Sequence, residues 1–232
     1  DRIKRTILKL YRQDITRFAE GYESKVLAIF DQIPGQLSKK EKKFSLSSLE
    51  KDAKSRSYED AFTWLSDGMI INDCCNATDP SVGLSMYRDP SSHKCYMLDT
   101  GLLVTLAFMD NDFTSNELYK SVLLDKIGVN EGMLMENAAA QAFKASGHRL
   151  FFYSRHNSDN RENNLEVDFL LSKENRICPV EVKSSGYSSH SSLDKFMKKF
   201  RGRIGKPYIL YSKDINVIDG IICLPIYMAM FL

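Results

Sequence analysis

The stretch LEVDFLLSKENRICPVEVKSS, residues 165–185, decides the fold class because it has the pattern of two β-strands joined by a tight turn. In its first run Glu166 and Asp168 alternate with the apolar residues Val167 and Phe169, as in a half-buried strand. The second run, PVEVK, alternates in the same way, and the polar residues between the runs are typical of a chain reversal. The stretch therefore predicts an antiparallel hairpin.

The register of this hairpin brings two acidic side chains together. A turn centred on Glu174 and Asn175 predicts three cross-strand pairs: Asp168 with Glu181, Glu166 with Lys183, and Leu170 with Pro179. Directly opposed residues have Cβ atoms roughly 4.5–5.5 Å apart, and like charges at that distance destabilise a sheet unless they are neutralised. Mg²⁺ binds through one or two carboxylates and would neutralise them. A turn shifted by one residue removes the opposition, and the acids are then an ordinary solvated face.

A buried helix is predicted upstream, in the run EGMLMENAAAQAFKASG after Asn130. The run is apolar on nearly all sides, and Gly147 suits its C-terminal end. Glu136 lies in the middle of it, and a carboxylate is rarely buried unless it is paired or coordinates a metal. Glu136 is therefore either a metal ligand or a residue at the helix edge that faces water or an arginine.

The series of Glu136, Asp168 and the run Glu181-Val182-Lys183 resembles the PD-(D/E)XK nuclease superfamily, whose core is helix, strand, hairpin, helix, strand. More closely, the chain resembles the C-terminal domain of unknown function that follows many prokaryotic AAA-type ATPase modules. This resemblance extends over nearly the whole chain, through the runs YRQDITRF, PGQLSKKEKKFSLSSL, RSYEDAFTWLSDGMII, CYMLDTGLL, MLMENAAAQAF, EVDFLL, PVEVKSS and CLPIYMAMFL.

The resemblance implies an α/β fold with a restriction-endonuclease-like domain, built on a mixed central sheet, over residues 113–232. It implies that Glu136, Asp168 and Glu181 hold Mg²⁺ or Mn²⁺ and that Lys183 completes a catalytic set for hydrolysis of DNA or RNA. Some members of the superfamily are inactive. The alternative is a non-catalytic DNA- or protein-binding module that regulates the attached ATPase.

Residues 1–112 have a winged-helix-like pattern. Apolar spacing predicts a helix from Ile3 to Phe18 and another from Ser24 to Gln32, stopped by Pro34 and Gly35. The charged run KKEKK follows and is expected to be exposed. Next come a short helix, a polar turn at residues 55–57, a longer helix, and two strands in MIINDCCNAT and HKCYMLD, which together give helix, turn, helix and a two-stranded wing.

The longer helix is predicted to begin with a capping box formed by Ser57 and Asp60. A winged helix can place such a helix in a major groove, but Glu59 and Asp60 at its start repel phosphate. A packing or protein-contact domain is therefore favoured over a DNA-reading one. A further helix is predicted from Asp99, as its cap, to about Asp110.

The run SSLDKFMKKFRGRIG after the hairpin predicts a helix, and KPYILYSKD predicts a strand parallel to that of Glu181, reached by a right-handed crossover. Basic side chains gather there, and they either contact a nucleic acid or form a solvated face: Lys195, Lys198, Lys199, Arg201 and Arg203.

The composition limits the classes of protein to which the chain could belong. The 232 residues are 43% hydrophobic, which is enough for two small cores, and a net charge of +2 is too small to indicate a nucleic-acid binder by itself. Five cysteines without a CxxC pair favour neither disulfides nor zinc, so we expect a reducing cytoplasm. The longest apolar run is too short to span a bilayer, so no membrane partner is expected.

No phosphate-binding loop of the form G-x-x-x-x-G-K-[ST] occurs, so ATP is not expected to bind here. The chain also begins without Met. We therefore expect a fragment of a longer protein, whose ATPase domain would be a partner of this chain.

Overall fold

The fold was established from a computed structural model that describes residues 1–39, 42–50, 54–111, 115, 117, 121, 131–156, 164–184 and 190–232. The chain forms two compact units with mixed α/β structure. Unit 1 contains Asp1–Asp73 and Ser91–Asn137, and unit 2 contains Cys74–Pro90 and Ala138–Leu232. The expected domain boundary between residues 112 and 113 lies outside the described residues. Within the described part of the chain, no helix has both the length and the apolar character needed to cross a bilayer.

Unit 1 is built mainly from four helices, which are α1 (Arg2–Phe18), α2 (Glu23–Leu37), α3 (Glu59–Asp67) and α4 (Thr100–Ala107). Helix α2 contacts each of the other three, and α1 also contacts α4. The apolar positions that repeat at helical spacing form the core, with Leu8 and Ile15 of α1 and Ile29 and Ile33 of α2 fully buried. Short 3₁₀ turns cover Leu46–Ser48 and Ser55–Ser57.

The predicted end of α2 is wrong, and so is the predicted N-terminal cap of α3. Helix α2 continues through Pro34 to Leu37 rather than stopping before the proline. A proline inside a helix removes one backbone donor at a cost of about 3 kcal/mol. Burial of Ile33 and Leu37 on either side of it offsets that cost.

Helix α3 begins at Glu59 with Tyr58 as its N-cap and without a side-chain capping bond, so the predicted capping box is absent. The Ser57 hydroxyl instead donates to the Lys54 carbonyl at 2.8 Å, because a serine can bond its own turn. The cap predicted for α4 is confirmed, since Asp99 Oδ1 accepts from the Leu102 N–H at 2.8 Å.

A four-stranded sheet has the order β2-β1-β3-β4. Its strands are β1 (Ile71–Ala77), β2 (Arg88–Met97), β3 (Leu150–Arg155) and β4 (Leu165–Val167). The two predicted strands of the N-terminal region exist as β1 and β2. They do not end the sheet as a two-stranded wing would, because β1 also pairs in parallel with β3, with Cys75 opposite Phe151.

A mixed five-stranded sheet in unit 2 has the order β5-β6-β7-β9-β8. Its strands are β5 (Phe169–Lys173), β6 (Arg176–Val182), β7 (Tyr208–Tyr211), β8 (Asn216–Ile218) and β9 (Ile221–Pro225). Strand β7 is parallel to β6 with Ile209 opposite Glu181, which confirms the predicted parallel pairing. Its helix, α6 (Ser191–Lys199), buries Leu193 and Phe196 in the core of the unit.

The predicted hairpin is β5 and β6. Leu170 lies opposite Pro179, as predicted, and Lys173 lies opposite Arg176. The turn is therefore Glu174 and the residue after it, and Glu174 has a left-handed φ of 53°. A further described helix, α5 (Glu131–Ala145), confirms the helix predicted after Asn130. The boundary of the two units falls inside β1, β2 and α5.

Candidate functional site

Asp168 stands at a bend between two strands that belong to different sheets. Val167, the last residue of β4, lies opposite Tyr153 of β3, whereas Phe169, the first residue of β5, lies opposite Val180 of β6. The Asp168 carboxylate accepts a hydrogen bond from the backbone N–H of Val182 at 2.9 Å. This bond holds the carboxylate at the end of β6, because the donor belongs to the strand itself.

Glu181 and Lys183 lie next to that donor. Glu181 is only 5% exposed, and the Lys183 ammonium donates to its Oε2 at 2.6 Å. The Lys183 side chain keeps 34% of its surface exposed, and its backbone N–H donates to the Leu210 carbonyl at 2.8 Å. The acid is therefore desolvated and charge-paired, while the lysine reaches solvent.

One predicted cross-strand pair is wrong. Glu166 was expected opposite Lys183, but it lies opposite Ser154, because β4 pairs with β3 instead of continuing the hairpin ladder. The break at Asp168 causes this change of partner. A strand that looks continuous in sequence is in fact two strands with different neighbours.

The donor set in unit 2 fits a hard divalent cation. Among the described residues of this unit, no three His, Cys, Asp or Glu side chains bring ligand atoms within 4.8 Å of one another. Asp168 and Glu181 both lie next to Val182, since Asp168 accepts from its N–H and Glu181 precedes it in the chain. Mg²⁺ commonly uses one or two carboxylates, with waters and phosphate oxygens in its other positions.

Glu136 belongs to unit 1, where its carboxylate is buried and paired. The Lys42 ammonium forms an ion pair with Glu136 Oε1, and the Tyr96 hydroxyl donates to Oε2 at 3.0 Å. The Glu136 and Lys42 side chains are only 6% and 9% exposed. The structure therefore shows a buried acid neutralised by a lysine, which differs from an acid at the helix edge facing water or arginine.

Lys42 is a partner that sequence reasoning missed. It lies in the run KKEKK, which was predicted to be exposed, and this prediction is wrong for Lys42 because the residue is 8% exposed. Next to its acid, Asn137 accepts from the Met97 N–H at 2.8 Å and donates to the Thr100 hydroxyl at 3.0 Å. No local signal in a run of charges marks Lys42 as buried.

The predicted basic cluster lies on α6 and the turn after it, and the side chains of Lys195, Lys198, Lys199, Arg201 and Arg203 are exposed. Three of these side chains, those of Lys195, Lys199 and Arg203, are engaged in interactions within the chain. Lys199 donates to the Tyr153 hydroxyl at 3.4 Å, and Arg203 contacts the two Asp79 carboxylate oxygens at 2.7 and 3.0 Å. In the described part of the chain, Lys198 and Arg201 make no ion pair.

The pairing of Arg203 also affects the acid it contacts. A hydrogen bond from Ser81 lowers the pKa of Asp79 from its ordinary value, and Arg203 lowers this pKa further, against the opposing effect of burial. Arg203 is thus committed to an intramolecular ion pair. In this basic cluster, Lys198 and Arg201 are exposed and make no ion pair with a described residue.

Comparisons with known proteins divide the chain into two matched regions. Residues 1–112 match the model of a domain of unknown function, DUF8612, and residues 131–228 match that of another, DUF4143. No curated protein matches the chain. A solved structure, that of protein VC1899 from Vibrio cholerae, is similar at 10% identity over 95% of this chain and 53% of that one, with a TM-score of 0.29.

The chain spans about half the length of the Vibrio protein, and a TM-score this low carries no argument about fold. The two matched domains, by contrast, cover most of the sequence. Residues 1–112 are thus similar to DUF8612 and residues 131–228 to DUF4143, a domain that is associated with AAA ATPases.

Proposed function

We propose that the DUF4143 region hydrolyses nucleic-acid phosphodiesters with Mg²⁺ or Mn²⁺ bound by Asp168 and Glu181. The observation that carries the proposal is the hydrogen bond from the Val182 N–H to Asp168, which holds that carboxylate at the end of the strand that bears Glu181. A bound divalent ion would lower the pKa of a water molecule and neutralise charge on the scissile phosphate.

The residues of the chain have separate parts in this proposal. The short backbone bond fixes the rotamer of Asp168, so that no reorganisation of this side chain is needed when substrate arrives. Lys183 holds a positive charge at the mouth of the site, since its side chain is one-third exposed while the carboxylate that it contacts is buried. It would orient the attacking water or stabilise negative charge that develops on phosphate.

The proposal does not use Glu136 as the metal ligand that the resemblance implied. Its carboxylate is occupied by Lys42 and Tyr96 in unit 1. We therefore assign the metal to Asp168 and Glu181, and we expect Glu136 to act mainly through the stability of the fold.

Substrate contact is assigned to the exposed basic side chains of α6 and its following turn. Lys198 and Arg201 are the best candidates, because they are exposed and no ion pair with a described residue competes with a phosphate for them. Helix α3, the recognition helix of the winged-helix hypothesis, is not assigned this part. Its sequence EDAFTWLSD contains three acids and no lysine or arginine.

The proposal also places this region behind an AAA-type ATPase module in the cytoplasm. The AAA association of DUF4143 supports the first point. The five cysteines are free and buried, which fits a reducing compartment and supports the second. ATP itself would bind the attached module.

Cleavage and metal binding by the 232-residue chain test the proposal. Labelled single-stranded, duplex and branched DNA and RNA are incubated with Mn²⁺ and the wild-type chain, and with the Asp168→Asn, Glu181→Gln and Lys183→Met variants. Glu174→Gln is the matched control, because it removes an acid from the turn of the same hairpin. We expect the first three variants to lose cleavage and the control to retain it.

Calorimetry with Mn²⁺ supplies the second readout. Asp168→Asn and Glu181→Gln should weaken Mn²⁺ binding, and Glu174→Gln should not. A wild-type chain that neither cleaves any of these substrates nor takes up Mn²⁺ would overturn the proposal.

A specific observation favours a second candidate, a non-catalytic DNA- or protein-binding module. Lys183 is bonded to Glu181, and an ion pair of this kind can be purely structural. Fluorescence anisotropy with the same labelled nucleic acids separates the two functions. Binding without cleavage, unchanged by Glu181→Gln, would support the binding module.

A further inference from the structure

A groove with a volume of about 560 Å³ lies in unit 1, where the start of α2 meets one face of α3. We call it the Trp64 groove. Its lining residues are Tyr22, Asp60, Thr63, Trp64, Asp67 and Gly68. The four α3 positions follow the spacing i, i+3, i+4, i+7, and side chains at this spacing lie on the same side of a helix. Two aromatic rings and two carboxylates therefore share one concave surface.

The carboxylates of the Trp64 groove lack internal countercharges. Asp60 and Asp67 are exposed, and neither makes an ion pair with a described residue. Helix α3 carries no basic residue in its last turn, so nothing on the helix offsets the partial negative charge of its C-terminal end. Asp60 lies in the first turn of α3, whereas Asp67 lies at the C-terminal end and has the same sign as that end. The two carboxylates and the C-terminal end of the helix favour a positively charged occupant.

The aromatic rings indicate which kind of cation would bind in the Trp64 groove. Trp64 is half-buried beside the acids, and Tyr22 forms the opposite part of the lining. Arginine suits such a surface better than lysine or a metal ion, because its planar guanidinium stacks on aromatic faces and pairs with carboxylates through several donors. The nearby Lys25 does not line the groove, since its ammonium donates to the Ser57 carbonyl at 2.8 Å and lies over the Tyr58 ring.

We propose that the Trp64 groove binds an arginine-bearing segment of a partner protein. The groove is larger than one guanidinium needs, which leaves room for the neighbouring backbone and side chains of a short peptide. A nucleic acid is the wrong occupant, because its phosphates would meet the carboxylates and the negative helix end. The proposal does not depend on the nuclease hypothesis, which concerns residues of unit 2.

The sequence supplies its own reporter for this site, because Trp64 is the only tryptophan in the chain. Titration of the full chain with a hexa-arginine peptide should change Trp64 fluorescence in a saturable way. A hexa-lysine peptide should bind more weakly, and a hexa-glutamate peptide or a duplex DNA should leave the fluorescence unchanged.

The double variant Asp60→Asn/Asp67→Asn should weaken hexa-arginine binding at least about tenfold, because it removes the partners for charge-assisted hydrogen bonds. The matched control is Asp14→Asn/Glu20→Gln, which removes two exposed acids of the same unit outside the groove. It should leave the Kd unchanged within about twofold. Since all four positions are exposed, folding is expected to survive in both variants.

Trp64→Phe, measured by anisotropy of a labelled hexa-arginine peptide, should also weaken binding, because tryptophan is the best ring for cation–π contact. An unchanged Trp64 signal at saturating peptide would overturn the proposal. So would an equal loss of affinity in the two double variants, because binding would then follow the overall charge and not the groove.

Discussion

The backbone N–H of Val182 donates to the Asp168 carboxylate at 2.9 Å, and this bond joins the bend between β4 and β5 to the end of β6. Asp168 belongs to neither of the two strands that flank it. Its position is set by a hydrogen bond from the strand that carries Glu181. The same carboxylate that is proposed to bind metal therefore also satisfies a backbone donor of the sheet.

Because Asp168 accepts a backbone hydrogen bond of the sheet, we predict that the Asp168→Ala and Asp168→Asn variants differ in stability. Alanine leaves the N–H of the buried Val182 without this acceptor, at a cost of about 1–3 kcal/mol in the free energy of unfolding. Asparagine keeps an acceptor oxygen of the same reach and should cost less than half as much. Urea unfolding of the two variants measures the difference, and equal losses would contradict it.

Removing one member of the buried Lys42–Glu136 pair should lower the free energy of unfolding much more than replacing both members. Lys42→Met or Glu136→Leu leaves the other charged side chain behind in the interior, and each single variant is expected to lose about 3–5 kcal/mol of unfolding free energy. The double variant Lys42→Met/Glu136→Leu removes both charges and should recover much of that loss. Additive losses in the double-mutant cycle would show that the two side chains are not coupled.

The surroundings of His148 predict that the free energy of unfolding depends on pH. Burial lowers the pKa of its ring from 6.5, and the charge of Lys173 lowers this pKa further, against a hydrogen bond with Leu232 that raises it. The unfolded chain therefore takes up the proton first, and stability falls as the pH drops below about 6.5 toward the lower pKa of the folded state.

Replacement of the ring by His148→Gln should make unfolding free energy less dependent on pH between about 7 and 5 than in the wild-type chain. The exposed His156 supplies the matched control, His156→Gln. Chemical denaturation at a series of pH values measures the slopes. A wild-type slope in His148→Gln would show that other groups govern this range.

The hairpin turn predicts a stabilising substitution. Glu174 adopts a left-handed φ of 53°, which costs a residue with a Cβ atom about 1 kcal/mol. Glu174→Gly should relieve this strain and raise the melting temperature, because glycine is favoured at such a turn position. Asn175→Gly should give no such gain, since Asn175 is not among the residues with positive φ. Thermal unfolding followed by circular dichroism distinguishes the two variants.

The sequence was sufficient for the local structure of the hairpin. Alternation of apolar and polar residues fixes which face each side chain takes, and a two-residue turn fixes the register, so Leu170 opposite Pro179 was predictable. The parallel neighbour β7 followed from the right-handed crossover rule. These features depend on residues close together in the chain or on a general rule of chirality.

Features that depend on distant partners were not predictable. The break at Asp168 arises because β4 pairs with β3, and nothing in the run EVDFLL marks a change of neighbour. The ion pair of Lys42 with Glu136 joins residues 94 positions apart. Sequence pattern identified the buried acid, but the choice between metal and counterion is made by tertiary packing.

The chain passes from one unit to the other at three places, after Asp73, after Pro90 and after Asn137. During synthesis, unit 1 therefore cannot be completed when its N-terminal helices leave the ribosome, because its last segment arrives only with Asn137. Residues 74–90 of unit 2 likewise cannot complete their strand pairing until later strands, including β3, have been synthesised. A nascent chain of this design exposes unfinished sheet edges for most of its translation, and chaperone capture is expected to precede folding.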